Sequence, residues 1–126
     1  MSYAILICDD DPEIRQAMKR ALRGNDVTMV GSPQEAIETL KTRKFDAVLS
    51  DFSLEADSDG LDLLQHVRVV YPNTIRFLIT GNQAIEVVAR AINEGAVHRY
   101  FQKPWDDEKL RMALEILLRS KHQAEE

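Results

Sequence analysis

A chain of 126 residues, 44% hydrophobic and 29% charged, has the length and composition of one globular domain built on a single core. A net charge of −5 with no Lys/Arg run argues against direct nucleic-acid binding, and the single cysteine, Cys8, excludes an internal disulfide. No apolar stretch is long enough to cross a membrane, and Asp9 interrupts the first one too early for a signal peptide, so a soluble, cytoplasmic protein is expected.

Ala4 to Cys8 is a continuous apolar run, the pattern of a strand covered on both faces, and it stops abruptly at Asp9-Asp10-Asp11. Pro12 suits the first turn of a helix whose inner face is Ile14, Ala17, Met18, Ala21 and Leu22, with Gly24 as its stop. The same cycle recurs. Val27 to Val30 is a second strand, and Ser32-Pro33 caps a helix carrying Ala36, Ile37 and Leu40. Phe45 to Leu49 is a third strand, ending at Ser50-Asp51; a loop from Phe52 to Asp59 leads to a helix with Leu61, Leu64 and Val67 inward. After the Pro72-Asn73 turn, Ile75 to Ile79 is a fourth strand ending at Thr80. Ile85, Val88, Ala89 and Ile92 then form the inner face of a helix closed by Gly95. Tyr100-Phe101 belongs to a fifth strand ending at Lys103-Pro104. The last helix carries Leu110, Ala113, Leu114 and Leu117 and fades into a polar tail or linker, residues 120–126.

Five strand–helix units in alternation predict an α/β fold, a (βα)5 doubly wound parallel sheet with right-handed crossovers, forming one domain over residues 1–126. In such a sheet every strand delivers its carboxyl end to one rim, where ligands bind. The ends here carry Asp9, Asp10 and Asp11, then Asp51, Thr80 and Lys103. Two carboxylates about 4 Å apart repel by roughly 4 kcal/mol at an effective dielectric near 20, so the cluster calls for a cation. Hard oxygen donors with room for water suit Mg²⁺ and leave positions for a phosphoryl group. A carboxylate can attack phosphorus, and Lys103 and Thr80 are placed to neutralise or hydrogen-bond the transferring oxygens.

These residues resemble the receiver domain of two-component response regulators over nearly the whole chain. The signposts are Ile5-Leu6-Ile7-Cys8-Asp9-Asp10-Asp11-Pro12, Asp51, Gly60-Leu61-Asp62-Leu63-Leu64, Thr80-Gly81, Ala91-Ile92-Asn93-Glu94-Gly95-Ala96 and Lys103-Pro104-Trp105. The resemblance implies a flavodoxin-like strand order 2-1-3-4-5, with Asp9 and Asp10 holding Mg²⁺ and Asp10 the more direct ligand. It makes Asp51 the phosphoacceptor and a further metal ligand, together with the Ser53 backbone carbonyl. Thr80 and Lys103 contact the phosphoryl group, Thr80 and Tyr100 form the switch, and the Lys103-Pro104 bond is cis. The implied phosphate donor is a sensor histidine kinase or a histidine phosphotransfer protein. The implied readout is an output domain or partner protein at the face of the fourth helix, fifth strand and fifth helix, with Arg90, Ala91, His98, Tyr100 and Arg111 as contacts and homodimerisation on phosphorylation. Leu54-Glu55 stands where many relatives carry Met-Pro, the Asp51–Gly60 stretch is one residue longer than usual, and Ser53 and Asn82 occupy positions that tune dephosphorylation. The segment around Tyr100-Phe101-Gln102-Lys103-Pro104-Trp105 is similar to receivers joined to cyclic-dinucleotide phosphodiesterase domains.

Blander roles compete at several positions. Asp11 reads best as a helix cap. Cys8 is expected to be a buried, inert thiol, Trp105 a packing residue, and His66, His98 and His122 surface residues without metal-ligand spacing. Glu55 to Gly60 opens like a calcium loop, but Asp62 and His66 stand at the eighth and twelfth positions, where an apolar residue and a bidentate Glu are needed. Two other functions carry weaker signals. A phosphatase of the haloacid dehalogenase type would need an acid two residues after Asp51, where Ser53 stands. A flavin binder would need a glycine-rich phosphate loop. A phosphoacceptor switch, not an enzyme with turnover, is the expectation.

Overall fold

The computed structural model describes residues 2–52, 59–81 and 85–125, with the side chains of 52, 59, 60, 85, 87, 90 and 122–125 set aside. Its elements follow the expected order: β1 (Ala4–Cys8), α1 (Pro12–Ala21), β2 (Asp26–Val30), α2 (Pro33–Leu40), β3 (Ala47–Phe52), α3 (Asp59–Val70), β4 (Ile75–Thr80), α4 (Ile85–Asn93), β5 (Arg99–Gln102) and α5 (Asp107–Glu125). All neighbouring strands are parallel, and the sheet runs β2-β1-β3-β4-β5, the flavodoxin-like order.

Alternation along β1 divides the core. Ile5 and Ile7 enter one layer with Met18, Leu22, Leu49, Phe77, Leu110 and Leu114, beneath α1 and α5. Leu6 and Cys8 enter the other with Ala36, Leu40, Val48, Leu64 and Val67, beneath α2 and α3, joined by Val88 and Ala91 of α4. Central strands sandwiched in this way have no solvent side, which is why β1 reads as an unbroken apolar run and β4 as one interrupted only by Arg76 before Thr80.

The helix ends follow local chemistry. Asp11 caps α1 by accepting the Glu13 N–H at 2.9 Å, and Ser32 caps α2 by accepting the Glu35 N–H at 3.2 Å. Beyond α4, the Gly95 N–H donates to Ile92 O and the Ala96 N–H to Ala91 O, with Gly95 at φ +78°, a left-handed turn that glycine adopts without steric cost.

Four expectations need correction. β3 starts at Ala47 and not at Phe45; it continues through Asp51 to Phe52, because Asp51 and Phe52 still pair with Ile79 and Thr80. Among the described side chains of α4, Val88 is buried as expected, but its buried companion one turn on is Ala91, while the expected Ala89 and Ile92 are exposed. On α5, Leu118 is fully packed and Leu117 only partly. Finally, α5 does not fade at Ser120 but runs on to Glu125. Lys121 holds that extension to the body of the domain, with Nζ 3.8 Å from Asp46 Oδ1.

Candidate functional site

Strand register decides which side chains meet at the carboxyl rim. Cys8 pairs with Ser50, so Asp9 follows alongside Asp51. Phe52 pairs with Thr80 and Thr80 with Gln102, so Lys103 leaves β5 at the same level. Ile7, Leu49 and Phe101 all face the α1/α5 layer, and two residues further on Asp9, Asp51 and Lys103 share that side. Thr80 follows Ile79 and takes the opposite side, toward α4. Tyr100 pairs with Leu78, a residue of the α3/α4 layer, and so lies on the same side as Thr80.

Lys103 closes the site. Its Nζ lies 2.7 Å from Asp51 Oδ1 and 3.1 Å from Asp9 Oδ2. Asp9 is 2% exposed and its Oδ1 accepts the Asp11 N–H at 2.9 Å, whereas Asp10 stands in solvent. Burial raises the Asp9 carboxyl above its ordinary 3.8, and Asp51 adds to this against the pull of the Asp11 N–H and Lys103. Burial works against the Lys103 ammonium, but its contact with Asp51 and the charges of Asp51 and Asp9 outweigh it, so its pKa stands above 10.5.

Asp9, Asp10 and Asp51 each offer one oxygen within 4.8 Å of the others. Three carboxylates therefore face one ammonium. Lys103 Nζ, at 2.7 Å, is the only partner of the buried Asp51 Oδ1 among the described residues. Hard oxygen donors, excess negative charge and an under-bonded oxygen fit a divalent cation of the Mg²⁺ type.

The structure thus brings together Asp9, Asp10, Asp51 and Lys103. Thr80, 2% exposed, ends β4 at the same rim, and its carbonyl accepts the Lys103 N–H at 2.8 Å. Tyr100 is 46% exposed on β5, and the Lys103-Pro104 bond is cis. Ser53, Leu54, Asn82 and residues 55–58 of the calcium-like stretch lie outside the described residues, as does the Arg90 side chain. Ala91 is 1% exposed, so this predicted contact is a core residue and cannot meet a partner. Cys8 is buried with its thiol pushed up to about 12 by burial first and then by Asp9 and Asp51, as an inert thiol requires. Trp105 packs partly against the α1/α5 layer and donates from Nε1 to Asp107 Oδ1 at 2.9 Å. Two further cations stand out only in the structure, Arg15 beside Asp9 and the buried Arg76. Nothing in their local sequence distinguishes them from solvated arginines.

The model of the response regulator receiver domain family matches residues 5–115. The response regulator PilR of Pseudomonas aeruginosa is 33% identical over 124 residues, 96% of this chain and 27% of its own length. The hydrogenase transcriptional regulatory protein HoxA of Bradyrhizobium diazoefficiens is 31% identical over 107 residues, 84% of this chain and 22% of its own. The chain thus spans about a quarter of the length of these curated relatives. Among solved structures, the signal receiver domain of an HD domain-containing protein from Pseudomonas fluorescens Pf-5 superposes with a TM-score of 0.88 at 34% identity, covering 98% of this chain and 99% of that one. With acids, lysine, strand order and family model in agreement, the chain belongs to the response regulator receiver domains, the phosphoacceptor signalling switches of two-component systems.

Proposed function

We propose that Asp51 is the phosphoacceptor, served by Mg²⁺ held on Asp9, Asp10 and Asp51 with the Ser53 carbonyl, and by Lys103 and Thr80. The observation that carries this is the Lys103 ammonium set between Asp51 and Asp9 at 2.7 and 3.1 Å, beside the exposed Asp10. An Asp51 carboxylate oxygen attacks phosphorus of a phosphohistidine; the O–P bond forms, the N–P bond breaks, and the imidazole nitrogen keeps the electron pair and takes a proton. The cation supplies charge neutralisation at the phosphoryl oxygens. Lys103, already paired with Asp51, moves its charge onto those oxygens, and Thr80 donates its hydroxyl to one of them.

Phosphorylation then favours one of two arrangements of Thr80, Tyr100 and α4. Thr80 and Tyr100 stand on the same side of the sheet, which supports a path from the rim to the α4–β5–α5 face. His98, Tyr100 and Arg111 are the contacts proposed there for a partner or output domain, with homodimerisation as one outcome of phosphorylation. The donor is a sensor histidine kinase or phosphotransfer protein, the compartment is the cytoplasm, and hydrolysis of the acyl phosphate is slow and confined to the chain's own phosphate. The similarity to a receiver from an HD domain-containing protein supports an HD domain as the output. Asp51→Asn should abolish labelling by acetyl phosphate; stoichiometric labelling that persists on another residue of that variant defeats the assignment. Sustained turnover of phosphomonoesters would restore the phosphatase reading.

A further inference from the structure

Arg15 lies on α1, one turn past the acid cluster, and donates from Nη1 to the backbone carbonyl of Asp9 at 2.8 Å. The Asp9 N–H donates to Val30 O at 3.2 Å, Oδ1 accepts from the Asp11 N–H, and Oδ2 accepts from Lys103. Every polar group of Asp9 is therefore held. The Asp9 carbonyl is also one edge of the planar Asp9–Asp10 peptide, so its orientation sets the direction in which the chain enters Asp10. Asp10 is exposed, and among the described residues no hydrogen bond or ion pair holds its carboxylate. Gly31, just past β2, leaves the room that the guanidinium uses: a Cβ there would lie 3.2 Å from Arg15 Nη1, tighter than ordinary contact.

We propose that Arg15 is a positioning residue for the cation site, fixing the Asp9–Asp10 peptide so that the Asp10 carboxylate faces Asp9 and Asp51. The proposal rests on the reading of that cluster as a Mg²⁺ site. Electrostatics alone gives the opposite expectation. Arg15 is a cation near three acids, and removing it should tighten binding of a dication if charge were its only effect. Lost positioning should weaken binding, as removal of groups that orient metal ligands does.

The test is Mg²⁺ titration of the full chain by calorimetry, well below the unfolding temperature, with acetyl phosphate labelling in parallel. Arg15→Met should raise the Mg²⁺ dissociation constant about tenfold or more. It should also slow labelling at limiting Mg²⁺ and recover most of the rate at saturating Mg²⁺. Gly31→Val keeps every charge but crowds the guanidinium, and should weaken Mg²⁺ in the same direction; if Arg15→Met fails to fold, this variant carries the test. Unchanged or tighter Mg²⁺ binding in Arg15→Met, or unchanged binding in Gly31→Val, overturns the positioning role. Failure of the unaltered chain to bind Mg²⁺ would instead overturn the site reading beneath it.

Discussion

The backbone N–H of Arg76 donates to His98 Nδ1 at 3.0 Å, and the His98 N–H donates back to the Arg76 carbonyl at 2.9 Å. An imidazole thus takes a ladder bond at the start of the edge strand β5. It can accept only while Nδ1 is unprotonated. Although part of the ring faces solvent, desolvation of its inner side and then the Arg76 charge hold its pKa below 6.5. The unfolded chain therefore binds a proton at a higher pH than the folded one. Between the two values the unfolded state carries more protons, so stability falls as pH drops below about 6.5 and through the folded value. Urea unfolding at a series of pH values should show this loss, and His98→Gln, which keeps an acceptor without titrating, should flatten it. Parallel pH profiles for the two proteins would reject the account.

Arg76 itself is 6% exposed, and its guanidinium donates to Ala96 O at 2.9 Å, Gly95 O at 3.1 Å, Thr74 O at 3.0 Å and Pro72 O at 3.2 Å. No carboxylate among the described residues lies within ion-pair distance. Its counter-charge is the array of carbonyl dipoles at the end of α4 and in the α3–β4 turn. Burial and Arg68 lower its pKa, but the cation remains the form that satisfies four carbonyls. Arg76→Met strips those partners, and should cost about 3 kcal/mol or more, on the order of 10 °C in Tm for a domain of this size. Labelling of Asp51 below the lowered midpoint should survive, because Arg76 sits at the amino end of β4. Loss of labelling in a folded variant would show that this rim also shapes the site.

Tyr100 gives the opposite pattern. It is 46% exposed, so Tyr100→Ala should change stability by less than about 0.5 kcal/mol. Acetyl phosphate labelling should also hold, while any phosphorylation-dependent association, read by light scattering, should weaken. A large stability loss would make Tyr100 a packing residue and remove it from the switch.

Much of this architecture was legible because burial on both faces leaves a coarse signal. The apolar runs of β1 and β4, the caps Asp11 and Ser32, and the acids and lysine at strand ends all lie where single residues declare their environment. Boundaries were harder. A carboxylate such as Asp51 suggests a strand's end, yet the β3 ladder continues through it to Phe52. On α4, Ile92 has the look of core but is exposed, while its small neighbour Ala91 is buried with Val88. Arg15 and Arg76 were invisible for a different reason. Their partners are backbone carbonyls contributed by other segments or loops, and a carbonyl leaves no trace in sequence.

Lys103 and Arg15 are both cations at the acid cluster, and they should move Mg²⁺ affinity in opposite directions. Lys103 touches the carboxylate oxygens directly, at 2.7 Å from Asp51 and 3.1 Å from Asp9, and so competes with a dication for the same charge. Lys103→Met should tighten Mg²⁺ binding, since its ammonium no longer neutralises the acids and holds no part of the backbone scaffold through its Nζ. The same change removes the group that stabilises transferring phosphoryl oxygens, so labelling should slow by roughly 10²-fold even at saturating Mg²⁺. Arg15→Met is expected to weaken Mg²⁺ and to recover its rate when Mg²⁺ is raised, because its bond is to a carbonyl and not to the reacting groups. Measuring both dissociation constants and both saturating rates separates the two roles: a Lys103→Met protein that binds Mg²⁺ less tightly would overturn the competition, and one that labels at the ordinary rate once saturated would place Lys103 outside the chemistry.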